Sequence, residues 1–165
     1  ILKGIEVDIL PNGSLDYDDE ILKTFDFVIA AVHSKFNMTE EEMTERIIES
    51  FKNKYVTILA HPTGRLLLER EPYPVNMKKV IDAAAKYGKI IELNANPHRL
   101  DLDWRLCKYA KEKGVKVSIN PDAHDTVALK EIRYGVGIAR KGWLEKKDVL
   151  NTLKLNEIMK HLNVG

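Results

Sequence analysis

"VTILAHPTGR", residues 56–65, decides the fold. Five apolar or β-branched residues run from Val56 to Ala60, and His61-Pro62-Thr63-Gly64 then breaks the run. A half-exposed strand alternates polar with apolar side chains; a run this uniform suits a parallel strand covered on both faces. The pattern recurs in both directions along the chain. "IEVDI" (5–9), "FVIAAV" (27–32), "KIIELNA" (89–95) and "VKVSIN" (115–120) read as strands, with "GVGIA" (135–139) a weaker sixth.

Amphipathic segments lie between these runs. Thr39 and Glu42 form a capping box, and Met43, Ile47, Ile48 and Phe51 then share one face. Asn76 caps a second helix that packs through Val80, Ile81 and Ala84 and stops at Gly88. Asp101 is placed to cap a third, with Leu102, Leu106, Tyr109 and Ala110 inward and Gly114 beyond its end. Residues 145–162 read as helical, with a break near Asn151-Thr152. Strand–helix alternation of this kind predicts an α/β fold with a parallel sheet. An open doubly wound sheet and part of a barrel both fit. No linker or low-complexity segment interrupts residues 1–165, so the reading is of a single domain.

The bulk properties exclude several classes. Apolar residues make up 44% and charged residues 31%, as in ordinary globular chains. The net charge of +1 argues against an extended basic surface and leaves room for a local one. Cys107 is the only cysteine, which rules out a disulfide framework and a cysteine-based zinc site. It also fits a reducing compartment. There is no apolar run of membrane-spanning length and no signal peptide, so the expected location is the cytoplasm and no membrane partner is expected. The chain opens at Ile1, already inside strand-like sequence, and this suggests a piece of something longer.

Chemistry gathers where the apolar runs end. Glu6 lies in the first run, His33 follows the second and His61 the third. Glu92, Asn94 and Asn96 mark the fourth, Asp122 and His124 the fifth. Glu6 to His33 spans 27 positions, His33 to His61 spans 28, and Asn94 to Asp122 again 28. A constant step of one βα unit returns each residue to the same end of the sheet, the edge where such folds bind ligands. Three histidines therefore converge with Glu6 and Asp122. Imidazoles and carboxylates together suit zinc, manganese or iron(II). Such ions polarise phosphoryl oxygens and acidify water.

Each residue has a plainer explanation. A histidine after a strand is often only a turn residue, and Glu6 could be a surface acid. The shared spacing is what favours a site. Arg65 and Arg99 follow strand ends, where guanidinium forks suit phosphate; the alternative is an ion pair with Glu69, Asp101 or Asp103. Asn94 and Asn96 would add polar contacts to a substrate. Cys107, Trp104 and Trp143 read as packing residues, and His161 as solvated.

The combination "GIEVDIL", "AAVHS", "ILAHPTGRLL", "IELNANPHRLDL", "SINPDAH" and "YGVGIARKGWL" resembles the PHP (polymerase and histidinol phosphatase) domain. It is most similar to the copy at the C-terminus of bacterial and archaeal family X DNA polymerases. No polymerase-core signature accompanies it. The resemblance implies a distorted (β/α)7 barrel with three metals, Zn²⁺ or Mn²⁺, at its C-terminal rim. Glu6 would bridge two metals, His33 and His61 would join it on one, Asp122 would help hold the other, and His124 would bind the third. The implied activity is a metal-dependent phosphoesterase acting on DNA 3′ ends, a 3′-to-5′ exonuclease in DNA repair. Its nucleophile would be a metal-bound water, with no side chain assigned to that step.

One departure matters. The family opens with an H-x-H pair on its first strand, and none of the five histidines here forms one. The chain therefore reads as the C-terminal part of a PHP domain, its first strands missing. About one fully liganded metal site is then expected, with the absent N-terminal part of the domain as a natural partner. An unpaired strand near the start would also invite a homodimer. A phosphatase of small phosphate esters and an inactive scaffold remain alternatives.

Overall fold

A computed structural model describes residues 1–162. Five strands form one all-parallel sheet: β1 (Gly4–Asp8), β2 (Phe27–Ala31), β3 (Val56–Leu59), β4 (Ile90–Asn94) and β5 (Val117–Asn120). Their spatial order is their sequence order, β1-β2-β3-β4-β5. This is the α/β architecture of a partial PHP-type barrel, with helices around a parallel sheet. The helices are α1 (Asp19–Leu22), α2 (Glu40–Ser50), α3 (Met77–Tyr87), α4 (Trp104–Glu112), α5 (Ile132–Lys141) and α6 (Leu155–His161). None of them is long and apolar enough to cross a membrane.

The two faces of the sheet differ. Val7, Val28, Ala30, Ile91, Leu93, Val117 and Ile119 belong to the main core together with Met43, Ile47, Val80, Ile81, Cys107 and Ala110 from the helices. The alternate residues point the other way. Toward the start of the strands this second face is apolar: Phe27, Ile29, Ile58 and Ile90 pack under Leu150, Leu153 and Ile158. Toward the strand ends it turns polar, through Glu6, Asp8, Glu92, Asn94, Ser118 and Asn120. A cavity of about 340 Å³ lies on this face, walled by Phe27, Ile29 and Leu150 and edged by Glu6, Glu92 and Asp122.

Several elements follow the sequence reading closely. The Thr39–Glu42 capping box is formed in both directions, and Asn76 accepts from Lys79 N. Gly88 ends α3 in the left-handed conformation. Three readings are corrected. "GVGIA" is not a strand but the centre of α5; Gly135 faces the sheet so closely that a Cβ there would come within 2.6 Å of Ile119 and Ala95 side chains. The cap of α4 is Asp103, which accepts from Arg105 N, whereas Asp101 is fully buried and accepts from the backbone and hydroxyl of Thr63. The tail holds two 3-10 turns, Lys146–Asp148 and Leu150–Thr152, before α6. Trp143, expected to pack, is exposed, while Trp104 is half-buried.

Candidate metal centre

Glu6, His33 and His61 meet at the ends of three adjacent strands, with their ligand atoms all within 4.8 Å of one another. Register accounts for the meeting. Glu6 pairs with Ile29 across β1–β2, and Ile29 pairs with Ile58 across β2–β3. The backbone then runs on to His33 and His61 just past the two strands. Glu6 Oε1 lies 3.2 Å from His33 Nε2 and 3.4 Å from His61 Nε2. The two imidazole centroids are 5.2 Å apart. One carboxylate thus faces two ring nitrogens.

The sequence "HPTG" makes the turn that aims His61. Gly64 N donates to His61 O at 2.9 Å, closing a tight turn, and Gly64 adopts φ 62. The turn backs onto Tyr73, whose ring would lie 2.5 Å from any Cβ at Gly64. His61 itself has φ 26, sterically unfavourable for a residue with a side chain. Its backbone is held there by Glu92, which accepts from His61 N at 2.7 Å. Glu92 is buried and also accepts from Asn120 at 2.8 Å and Asn94 at 3.2 Å. Burial raises the Glu92 carboxyl above its usual range, against the pull of these donors.

The other predicted residues lie around this centre. Asn94 is fully buried and donates to Asp122 at 3.1 Å, so it braces the site from within. Arg99 stands 3.4 Å from the same Asp122 oxygen. Asn96 uses its side chain to accept from His98 N, shaping the loop. Arg65 is engaged with the carbonyls of Arg99 and Leu100 and, at 3.0 Å, with Asp103. His124 is exposed, its Nδ1 2.9 Å from Asp122 O. Asp122 and His124 do not join the cluster of Glu6, His33 and His61.

Sequence reasoning missed Asp8, whose Oδ1 lies 2.5 Å from His33 Nδ1. The signal was present: Asp8 is two residues from Glu6 in an extended strand and so shares its face. Arg46 was missed as well. It lies on the inner face of α2, buried, and donates to Ile9 O at 3.1 Å, Leu10 O at 3.1 Å and Ser34 O at 2.9 Å. That fork ties the end of β1 to the loop that carries His33.

Charge is strongly coupled here. Hydrogen bonds from His33, then from His61, hold the Glu6 carboxyl far below its ordinary range. Glu6 in turn raises His33 to about 9; burial opposes this and Asp8 reinforces it. In metal-free protein the charged His33 thus stabilises the fold fully below its ordinary value of 6.5, and that stability is lost as pH rises through about 9. His33 is substantially exposed, so solvent screening reduces the contribution to about 1 kcal/mol. In chelator-treated protein, melting temperature should fall from pH 6.5 to 9 by about 2–4 °C more than in His33→Gln. Parallel curves would rule out this coupling.

The donor set fits a divalent ion: one carboxylate and two imidazoles, one deeply buried and one at the mouth, match zinc or manganese. An α/β sheet with this triad at its strand ends suits phosphoester hydrolysis at a metal ion. Comparison with known sequences points the same way. The chain is 48% identical over 158 residues to the DNA polymerase/3′-5′ exonuclease PolX of Bacillus subtilis (strain 168), covering 96% of this chain and 28% of the polymerase. It is 35% identical over 162 residues to a probable phosphatase of Thermoanaerobacter sp. (strain X514), covering 92% of this chain and 64% of that protein. A probable phosphatase of Caldanaerobacter subterraneus is 37% identical over 134 residues, 75% of this chain and 50% of its own length. The chain thus spans less than two thirds of each of these relatives. No family model matches it. The recognition made from the motifs stands: this is a PHP-type sequence with PolX among its relatives.

Proposed function

We propose that this chain contributes the metal-binding part of a phosphoesterase that trims DNA 3′ ends, as a 3′-to-5′ exonuclease acting in DNA repair in the cytoplasm. The observation that carries the reading is the Glu6–His33–His61 cluster, in a chain 48% identical to a polymerase/exonuclease. These three residues would hold Zn²⁺ or Mn²⁺. A bound ion would supply Lewis acidity toward a phosphoryl oxygen and lower the pKa of a coordinated water.

The chain's own groups do the rest. Glu6 stays ionised and supplies the negative charge of the centre. His61 is anchored by Glu92 through its backbone, and its side chain is buried. Arg99, beside Asp122 on the polar rim, is the cation we assign to a substrate phosphate. Arg65 holds the adjoining loop by its backbone contacts. Among the described residues β1 pairs on one side only, with β2, and we assign its free edge to a partner strand, from a second copy or from further sequence of the same protein.

The test is a comparison of two substrates with Mn²⁺ or Zn²⁺ present: a DNA duplex with a recessed 3′ end and a small phosphomonoester. Release of nucleotides from the DNA is the expected result. Hydrolysis of the monoester alone would overturn the DNA assignment and favour the second reading, a small-molecule phosphatase, which the likeness to probable phosphatases supports. Failure to bind either metal would overturn both and leave a non-catalytic scaffold.

A further inference from the structure

His33 engages a carboxylate at each ring nitrogen. Nε2 lies 3.2 Å from Glu6 Oε1, and Nδ1 lies 2.5 Å from Asp8 Oδ1. A neutral imidazole carries one N–H, and an ionised carboxylate only accepts. In the metal-free protein the charged ring donates from both nitrogens; with a cation at Nε2 the ring would be neutral, and the hydrogen bond to Asp8 would keep its one remaining proton on Nδ1.

The backbone makes this arrangement firm. Asp8 pairs with Ala31 across β1–β2, and His33 follows two residues later, just beyond Asp8. Asp8 is fixed in turn by Asp16: Asp8 N donates to Asp16 Oδ1 at 2.9 Å, and Asp16 N donates to Asp8 O at 3.1 Å. His61 differs. Its Nδ1 is buried without a hydrogen-bond partner among the described residues, and its orientation comes from the turn and Glu92. The buried imidazole is held by its backbone, and the half-exposed one by a side chain behind it.

We propose that Asp8 is a positioning residue that holds His33 in its Nδ1–H form and thereby sets the affinity of the centre for a divalent cation. This rests on reading Glu6, His33 and His61 as a metal site. Partners behind a ligating histidine contribute about 10- to 100-fold in metal affinity.

The test uses Zn²⁺ as probe, with affinity read by competition titration and the imidazole proton by ¹H–¹⁵N NMR of the zinc-loaded protein. Asp8→Ala should bind Zn²⁺ about 10- to 100-fold more weakly and lose an exchange-protected proton on His33 Nδ1 that the parent shows. Asp8→Asn keeps an accepting oxygen and should recover part of both, which a general folding defect would not produce. If Asp8→Ala binds Zn²⁺ as tightly as the parent, or keeps the protected proton, while His33→Ala has lost tight binding, the proposal is overturned. If His33→Ala also binds unchanged, it is the metal site itself that fails.

Discussion

Glu6→Gln is expected to abolish tight binding of divalent metal, a loss greater than the roughly 100-fold that removal of an outer partner costs. The substitution keeps the shape and one accepting oxygen, turns the other into an NH2 donor and removes the charge. That charge is the negative element among the three clustered ligands, 3.2 Å and 3.4 Å from the two imidazoles. It is also the main reason His33 is raised to about 9, so its loss should let that ring titrate nearer its ordinary value. Phosphoester hydrolysis, measured at a fixed metal concentration, should fall to background. Calorimetric titration of the purified variant with Mn²⁺ and Zn²⁺ is the direct measurement. An affinity close to that of the parent would remove Glu6 from the centre.

The largest effect on stability is expected from Arg46→Met. The side-chain stem can be replaced by a thioether of similar length, but the guanidinium cannot. Its loss leaves Ile9 O, Leu10 O and Ser34 O without that donor. Leu10 O keeps Gly13 N as a donor and Ser34 is exposed to water, so the loss falls mainly on the buried Ile9 O, at about 1–3 kcal/mol. For a chain of this length that corresponds to a drop in melting temperature of about 2–12 °C. Arg46→Lys should fare only slightly better, because an ammonium cannot span the same carbonyls as a planar fork. Thermal unfolding followed by circular dichroism would decide it; a change below about 2 °C would show that water or neighbouring donors replace the fork.

The sheet was legible because burial on both faces writes itself into composition. Val56–Leu59 and Ile90–Asn94 are buried along their whole length, and their sequences are correspondingly rich in Ile, Leu and Val. The same signal misleads at residues 135–139. A short apolar run containing two glycines looks like a strand, whereas in the fold Gly135 is the contact point of a helix with Ile119 and Ala95. Only the tertiary neighbour distinguishes the two. Asp101 was read as a helix cap because an acid before a helix usually is one. Its burial against Thr63 depends on a residue 38 positions away, which no local pattern records. Spacing alone brought Glu6, His33 and His61 together, since one βα unit moves a residue one strand across. It could not reveal Arg46, which reaches its carbonyls from a helix, or that Asn94 would be sealed inside.

The sequential strand order also bears on how the molecule assembles. Every strand docks beside the one made just before it, so the sheet can grow in the direction of synthesis without waiting for later chain. The three clustered ligands arrive one per unit, and the last, His61, emerges with the third strand. Glu92, which holds that histidine's backbone in its strained turn, comes 31 residues later. A nascent chain would therefore possess all three ligands before it could fix their geometry. Capture of metal should mature only after β4 has docked, a lag that time-resolved metal binding during refolding would register.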